Sequence, residues 1–272
     1  MNKSYLRILE KHANSIRREI ITMAYKAKSA HSGGSLSCVE LLTVLYFSVM
    51  KINPKAPYEE NRDRFLFSKA HDSKALYAVL AEKGFFKKEI LATYEKNEGL
   101  PGHPTIRVVP GVEITAGSLG HGLSIGAGMS YVGKMEDKKH RIFVMLSDGE
   151  CDEGSTWEAA LFAGHHKLSN LVAIVDYNKL QSFGRTDEVL SLEPFARKWK
   201  SFGWGVLEVD GHNIAKIDRA LKKIPFAKNK PSVLIAHTVK GYKGVPKYVD
   251  KVSSHYKPPT EEEFEEAIKR LL

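Results

Sequence analysis

The stretch IFVMLSDGECDEGSTWE, residues 142–158, joins an apolar run to a dense group of acidic side chains. Its first part, Ile142–Leu146, is uniformly apolar and rich in β-branched and aromatic residues, which is typical of a strand buried on both faces. Four acids then follow within six positions: Asp148, Glu150, Asp152 and Glu153. Because crowded carboxylates repel one another unless a cation or hydrogen-bond donors compensate them, the sequence predicts a positively charged ligand here.

Similar apolar runs recur along the chain and decide the predicted fold. They lie at Arg64–Phe67, Leu171–Val175, Trp204–Val209 and Val233–Ala236. Helical stretches separate them, with capping-box start signals at Ser37-x-x-Glu40, Ser155-x-x-Glu158 and Thr260-x-x-Glu263. Alternating strands and helices predict an α/β fold with a doubly wound, mostly parallel sheet flanked by helices.

Length and composition indicate how the chain is divided. Its 272 residues, 43% of them hydrophobic, suffice for a large buried core. No linker rich in Pro, Gly or Ser interrupts the pattern, so we expect a single domain over residues 1–272 with a helical amino-terminal region over about residues 1–55. Residues 97–130 are dense in Gly and Pro and predict a functional loop that ends in a small-residue helix after Gly120.

Charge and cysteine content limit the classes of partner. The formal net charge is +9, but the basic residues are scattered as pairs rather than gathered in a run with aromatics. A solvated surface accounts for them, so we expect no nucleic-acid partner. Cys38 and Cys151 lack CxxC spacing, and no apolar stretch is long enough to span a bilayer. These features predict a cytoplasmic protein with no membrane segment.

Polar side chains follow the predicted strands where each strand ends. They are Lys69 and His71, Asp148 and Gly149, Asn178, and His237 and Lys240. The carboxyl ends of parallel strands meet at one edge, where ligands bind. An Asp or Asn at a strand end is commonly a turn residue when taken alone. The carboxylate of Asp148 and the amide oxygen of Asn178 together, however, are ligands that Mg²⁺ or Ca²⁺ accepts beside phosphate.

Two other ligand motifs fail on their spacing. Asp148, Glu150 and Asp152 match the first ligands of a calcium-binding loop, but Glu153 replaces its required Gly and Ala159 its final acid. The glycine-rich segment at residues 117–128 lacks the spaced triplet of a dinucleotide fingerprint.

The sequence resembles transketolase and its thiamine diphosphate relatives over nearly its whole length. The family's Gly-Asp-Gly motif, followed by Asn after roughly thirty positions, here reads Ser147-Asp148-Gly149 and then Asn178. Further matching segments, in the same order as in the family, are AHSGGSLS, FSKAHDSKALYAVL, LPGHPTIRVVPGVEITAGSLGHGLSIGAGMS and DGHN. The resemblance implies a thiamine diphosphate-binding fold.

The resemblance also implies roles for individual residues. A Mg²⁺ ion, for which Ca²⁺ can substitute, is expected on Asp148, Asn178 and the backbone carbonyl of Leu180, where it bridges the phosphates of thiamine diphosphate. Cofactor contacts are expected at His71, Gly117, Leu119, Gly149 and His255. Proton transfer at the sugar hydroxyls is expected from His31, His103 and His255, because imidazoles titrate near working pH. Glu153 is expected to link paired active sites.

Two departures from the family affect these expectations. Ser147 occupies a position where the family usually has Gly. Around His255 the sequence VSSHYKPP differs from the family's usual aromatic-His-Gly motif. The chain is also about half as long as a single-chain transketolase, whose second α/β domain carries the glutamate that protonates the cofactor's pyrimidine ring. The resemblance therefore implies an amino-terminal subunit that needs a carboxy-terminal partner carrying the pyrimidine-binding domain. A two-plus-two assembly with self-association is expected.

The activity that the resemblance implies is transfer of a two-carbon ketol unit from a ketose or ketose phosphate to an aldose. Thiamine diphosphate supplies the electron sink for this chemistry. Two alternatives remain open. One is a subunit of another thiamine diphosphate enzyme, either a deoxyxylulose-phosphate-synthase-like protein or a specialised sugar transketolase. The other is a non-catalytic module that binds nucleotide or nucleic acid through its basic surface.

Overall fold

The computed structural model describes residues 2–271, and within that range the chain forms five β-strands. They span Arg64–Phe67 (β1), Ile142–Ser147 (β2), Leu171–Tyr177 (β3), Gly205–Asp210 (β4) and Ser232–His237 (β5). β-branched and aromatic side chains favour strands because they pack well on a pleated, buried surface. Each predicted strand is confirmed to within two residues at either end.

Helices occupy most of the connections between the strands. The amino-terminal ones are Lys3–Lys26 (α1), Ser32–Ser37 (α2) and Val39–Val44 (α3), followed by a π-helical turn at Leu45–Val49. The others are Ser73–Lys83 (α4), Gly122–Met135 (α5), Gly154–His165 (α6), Thr186–Val189 (α7), Phe195–Ser201 (α8), Ile214–Leu221 (α9), Ser253–Tyr256 (α10) and Glu261–Arg270 (α11). No helix within residues 2–271 is both long enough and apolar enough to cross a bilayer.

The strands form a sheet in the order β1-β2-β3-β5-β4, and every neighbouring pair is parallel. The central pair, β2 and β3, runs in register from Ile142 opposite Leu171 to Ser147 opposite Asp176. Parallel neighbours require long crossover connections, which the helices provide. The predicted doubly wound α/β architecture is confirmed.

Alternate side chains of β2 face two different hydrophobic cores. Phe143 and Met145 belong to a core formed with α1, α3 and α4. Ile142, Val144 and Leu146 belong to a core on the opposite face, formed with α5, α6 and α8. A shift of one residue in the register would exchange the two sets, so burial on both faces fixes where the strand ends.

The predicted helix starts have different outcomes. Thr260 accepts a hydrogen bond from the Glu263 backbone N–H and Glu263 accepts one from Thr260, so the capping box of α11 is confirmed. The prediction at Ser37 is wrong. Ser37 ends α2, and its hydroxyl donates to the buried carboxylate of Asp176 at 2.6 Å.

The predicted capping box at Ser155 is also wrong. Helix α6 begins one residue earlier, at Gly154, and the Ser155 hydroxyl donates to the Gly120 carbonyl at 3.0 Å. In both failed cases a partner distant in sequence takes the hydroxyl that local spacing assigns to the helix end.

Glycines bring α2 close to the carboxyl edge of the sheet. A Cβ atom added at Gly33 would lie 2.2 Å from the Ser254 hydroxyl oxygen, and one added at Gly34 would lie 2.3 Å from the Asp72 carboxylate. No side chain fits at such distances. The segment AHSGGSLS therefore reaches the edge because it carries glycine at both positions.

Candidate active site

A cavity of about 540 Å³ lies at the carboxyl edge of the sheet. Every site residue predicted from the sequence lines it: His31, His71, His103, Gly117, Leu119, Asp148, Gly149, Glu153, Asn178, Leu180 and His255. The structure thus brings the whole predicted set together, although the role of each residue stays a prediction. The sequence assigned no role to other lining residues, among them Lys69, Asp72, Gln181, Phe183 and Lys240.

Asp148 lies at the end of β2 with only 2% of its surface exposed. Its carboxylate accepts hydrogen bonds from the backbone N–H groups of Gly149, at 2.8 Å, and Lys179. In the described part of the chain, no Lys, Arg or His nitrogen lies within 4 Å of it. Burial, reinforced by the nearby Asp176 carboxylate, raises the pKa of Asp148 to about 6. A buried carboxylate without a cation favours the arrival of one.

Asn178 and Leu180 supply neutral oxygens beside Asp148. The Asn178 side-chain oxygen accepts a hydrogen bond from the Leu180 N–H at 3.1 Å. The Leu180 carbonyl accepts one from the Lys240 ammonium group at 2.6 Å, so a protein cation already binds this predicted metal ligand. Burial lowers the pKa of Lys240.

This donor set fits a hard divalent cation. Within residues 2–271 no group of three His, Cys, Asp or Glu side chains could hold a metal ion, so a site here depends on mixed oxygens. A carboxylate, an amide oxygen and a peptide carbonyl are oxygens that Mg²⁺ accepts while it retains positions for phosphate or water. The unpaired charge of Asp148 and the cation at the Leu180 carbonyl both agree with such an ion.

A buried ionic network lies beneath the cavity. The Lys69 ammonium group pairs with Asp176 and, at 3.1 Å, with Asp72, and all three side chains are almost fully buried. Burial alone would lower the pKa of Lys69, but the two carboxylates raise it well above its usual value. The Thr238 hydroxyl also donates to Asp176. The network joins β1, β3 and β5 at the floor of the site.

Three imidazoles cluster on one side of the cavity. Ring centroids lie 5.3 Å apart for His31 and His71, 4.6 Å for His31 and His255, and 5.6 Å for His71 and His255. Burial lowers the pKa of His31 to about 4 and that of His255 to about 3. The expectation that these two imidazoles titrate near working pH is therefore wrong for the chain without ligands. At neutral pH both are uncharged, and in the chain without ligands each is a weaker base than an exposed imidazole.

The long Gly-rich loop and the start of α6 also line the cavity. His103 is exposed, and its carbonyl accepts a hydrogen bond from the Tyr77 hydroxyl at 3.3 Å. A Cβ atom added at Gly117 would lie 4.0 Å from the His103 ring. Glu153 precedes α6 and is exposed. The loop thus adds His103 to the cavity that the three clustered imidazoles line.

Comparison with known proteins agrees with this arrangement. Residues 8–271 match the family described as transketolase, thiamine diphosphate binding domain. One of the subunits of the apulose-4-phosphate transketolase of Phocaeicola vulgatus is 45% identical over 265 residues, which cover 97% of this chain and 93% of that protein. A 6-deoxy-6-sulfo-D-fructose transketolase subunit of a Clostridium species is 42% identical over 264 residues, which cover 97% of this chain and 96% of that protein. The chain belongs to the transketolase family.

Solved structures extend the comparison to the fold. The transketolase of Campylobacter jejuni superposes with a TM-score of 0.91 at 31% identity, over 100% of this chain and 43% of that one. The transketolase of Leishmania mexicana gives a TM-score of 0.90 at 28% identity, over 97% of this chain and 41% of that one. This chain thus spans about two fifths of these solved transketolases but nearly all of the two bacterial subunits.

Proposed function

We propose that this chain is the amino-terminal subunit of a thiamine diphosphate- and Mg²⁺-dependent transketolase. The enzyme transfers a two-carbon ketol unit from a ketose or ketose phosphate to an aldose. The observation that carries the proposal is the buried Asp148 carboxylate, which forms no ion pair within residues 2–271 and lies beside Asn178 and Leu180 in the cavity. We also propose that residues 1–272 form a single diphosphate-binding domain and that the protein is cytoplasmic, in keeping with its free, buried cysteines.

In this proposal the floor of the cavity anchors the diphosphate end of the cofactor. Asp148, Asn178 and the Leu180 carbonyl hold the metal ion, and Gly149 leaves room for a phosphate to approach closely. Lys240 adds a buried positive charge that complements an anion. The bound cofactor supplies the carbanion-stabilising chemistry that cleavage next to a ketone requires.

In this proposal the imidazoles bind the sugar and transfer protons at its hydroxyl groups. His31, His103 and His255 line the cavity, and His31 and His255 are neutral at physiological pH. A neutral imidazole can accept a proton from a substrate hydroxyl and return it later. His71 and the Gly117–Leu119 loop border the same cavity and complete the cofactor pocket.

A partner chain completes the site. Phe183, at the mouth of the cavity, is 85% exposed, and apolar side chains also project from the outer faces of α5 and α6. They are Ile125, Val132, Met135, Leu161 and Phe162. Helices α5 and α6 begin directly after the cavity-lining loop and Glu153, so this face continues the cavity wall. We infer that it packs against a carboxy-terminal subunit carrying the pyrimidine-binding domain, in a two-plus-two assembly.

Calorimetry tests the cofactor proposal directly. We expect thiamine diphosphate to bind the purified chain, alone or with its partner, when Mg²⁺ is present and to bind weakly after chelation. Equal binding with and without the metal would refute the metal assignment. Ketol transfer by the isolated chain at the rate of the assembled enzyme would refute the division of labour between subunits.

The sugar is a further part of the proposal. Relatives over 40% identical are named for apulose-4-phosphate and 6-deoxy-6-sulfo-D-fructose, which favours a specialised sugar transketolase over a deoxyxylulose-phosphate-synthase-like enzyme. Both names describe sugars with an anionic group, and we propose a donor of that class. Product analysis with phosphorylated, sulfonated and uncharged ketoses tests this, and equal turnover of the uncharged donor would contradict it.

A further inference from the structure

Glu150 is a fully buried acid that the proposed chemistry leaves without a role. It follows β2, in a 3₁₀ turn at Gly149–Asp152. Its carboxylate accepts hydrogen bonds from the Ser68 hydroxyl, from the Gly120 N–H at 2.9 Å and from the Ser147 N–H at 3.4 Å. Burying a charge on neutral donors is expensive, and within the described residues no cation lies within 4 Å of it.

The donors to Glu150 all belong to segments that enclose the cavity. Ser68 follows β1, Ser147 ends β2, and Gly120 ends the loop that contains Gly117 and Leu119. The Ser68 oxygen in turn accepts a hydrogen bond from the Gly122 N–H at 3.1 Å. One carboxylate and one hydroxyl thus hold the backbone on both sides of His121, where the loop passes into α5.

Gly120 is held from its other side as well. Its carbonyl accepts the Ser155 hydroxyl at 3.0 Å, and its φ is +79°. A Cβ atom added to it would lie 2.4 Å from the Ser155 oxygen and 2.8 Å from the Glu153 Cβ. The loop end therefore sits between the Glu150 carboxylate and the start of α6, at a position where only glycine fits.

We propose that Glu150 is a positioning residue that holds the Gly117–Leu119 wall of the cavity in its binding conformation before any ligand arrives. The proposal rests on the proposed function, which places the cofactor against that wall. A wall fixed in advance does not have to be ordered during binding, and this strengthens affinity. Glu150 itself contacts neither cofactor nor sugar, so it acts on cofactor affinity and leaves the turnover of the loaded enzyme nearly unchanged.

The substitution Glu150→Leu tests this in the assembled enzyme. Gly120 and Ser68 donate to the same carboxylate oxygen, which a glutamine could still supply, whereas leucine has a similar size and no oxygen to accept from either. We expect faster hydrogen–deuterium exchange in a peptide covering residues 117–122 without cofactor. Thiamine diphosphate affinity should fall about 10- to 100-fold, as for other residues that support a ligand shell, with kcat at saturating cofactor within about twofold.

The matched control is Glu265→Leu, which replaces an exposed glutamate on α11 and should alter neither exchange nor affinity. Wild-type exchange over residues 117–122 in the Glu150→Leu protein would overturn the proposal, and so would wild-type cofactor affinity. An equal loss of kcat at saturating cofactor would also overturn it, by showing a role in the chemistry.

A second variant keeps the proposal testable if the Glu150→Leu protein does not fold. Ser68→Ala keeps the carboxylate but removes the oxygen that accepts from Gly122, so a smaller rise in exchange of the same peptide is expected, and no rise would overturn the proposal. A separate measurement shows whether the proposed function itself is wrong. If the wild-type enzyme does not bind thiamine diphosphate, that function fails, whereas the exchange comparison without cofactor still decides whether Glu150 holds the wall.

Discussion

Two equally buried aspartates lie at opposite edges of the sheet and differ in whether a protein cation pairs with their charge. Asp63 and Asp148 are each 2% exposed. Asp63, at the amino edge just before β1, forms a 2.6 Å ion pair with the guanidinium of Arg141 and accepts two backbone N–H groups at 2.8 Å. Asp148, at the carboxyl edge just after β2, accepts two backbone N–H groups and has no such cation among the described residues.

The difference separates a structural ion pair from the site where we propose that a ligand binds. At the amino edge the protein supplies the cation, and the pair ties the start of β1 to the start of β2. At the carboxyl edge the carboxylate faces a cavity, and its pKa is raised to about 6 by burial. A raised pKa in a cleft is a mark of function, whereas a buried aspartate alone is not.

The largest expected effect comes from Asp148→Asn, which keeps the shape of the side chain and removes its charge. Thiamine diphosphate binding in the presence of Mg²⁺ should weaken by about 100-fold or more, since a metal ligand matters at least as much as the groups that support one. The free energy of unfolding without ligand should change little, because the loss of an uncompensated buried charge offsets the one backbone N–H that the asparagine NH₂ group cannot accept. Calorimetry and urea denaturation check both statements, and unchanged affinity would contradict the metal site.

The reverse pattern is expected for Asp63→Asn. Breaking a fully buried ion pair removes roughly 3–5 kcal/mol, and because Arg141 is one-quarter exposed we expect a loss of about 2 kcal/mol in unfolding free energy. Cofactor affinity should stay at the wild-type value. Urea denaturation measures the loss, with Asp137→Asn as control, because the pair of Asp137 with Lys139 is exposed on both sides. If Asp63→Asn weakened cofactor binding by more free energy than it removed from folding, Asp63 would not differ from Asp148 in the way we propose.

The helix cap at Thr260 serves as a reference for a substitution that affects stability alone. Thr260→Ala removes the side-chain half of the α11 capping box and should cost about 1 kcal/mol of unfolding free energy. Cofactor binding should be unaffected, as for Asp63. Thermal denaturation checks this, and a loss as large as that of Asp63→Asn would show that the amino-edge pair contributes no more than an ordinary helix cap.

The smallest expected effect concerns two imidazoles of the cavity that Asp148 also lines. Burial holds the folded-state pKa of His31 near 4 and that of His255 near 3, below the ordinary 6.5. The unfolded chain therefore takes up these protons first. Their contribution to stability is complete above about pH 6.5 and declines as the pH falls toward those folded values. Histidine NMR signals of the folded chain should show almost no titration of either ring from pH 8 to 5, and a midpoint near 6.5 would contradict this.

The sequence predicts the sheet well because its signals are local. Uninterrupted apolar runs mark each strand, and parallel strands place their ends at one edge, so Asp148 and Asn178 could be paired before any coordinates were known. All the predicted site residues line one cavity, but the local signals do not predict all of them. Gly117, Leu119 and Glu153 were predicted only from the resemblance to transketolase.

Long-range pairing is what the sequence could not supply. Lys69 and Asp176 form an ion pair across 107 positions, and neither has a local signal beyond a charge at the end of an apolar run. The cap predicted at Ser155 failed because its hydroxyl bonds to Gly120, 35 positions away. The lowered pKa of His31 follows from burial, which spacing does not reveal.

The bare apolar face of α5 and α6 bears on how the polypeptide is produced. Tyr131 and Phe162 join the two helices through ring contacts at 5.7 Å, while Met135 and Leu161 beside them point into water. Exposed surface of this kind promotes aggregation until another molecule covers it. Cells that use this chain should synthesise it in step with a second gene product, and overexpression by itself should yield inclusion bodies that co-translation with that product prevents.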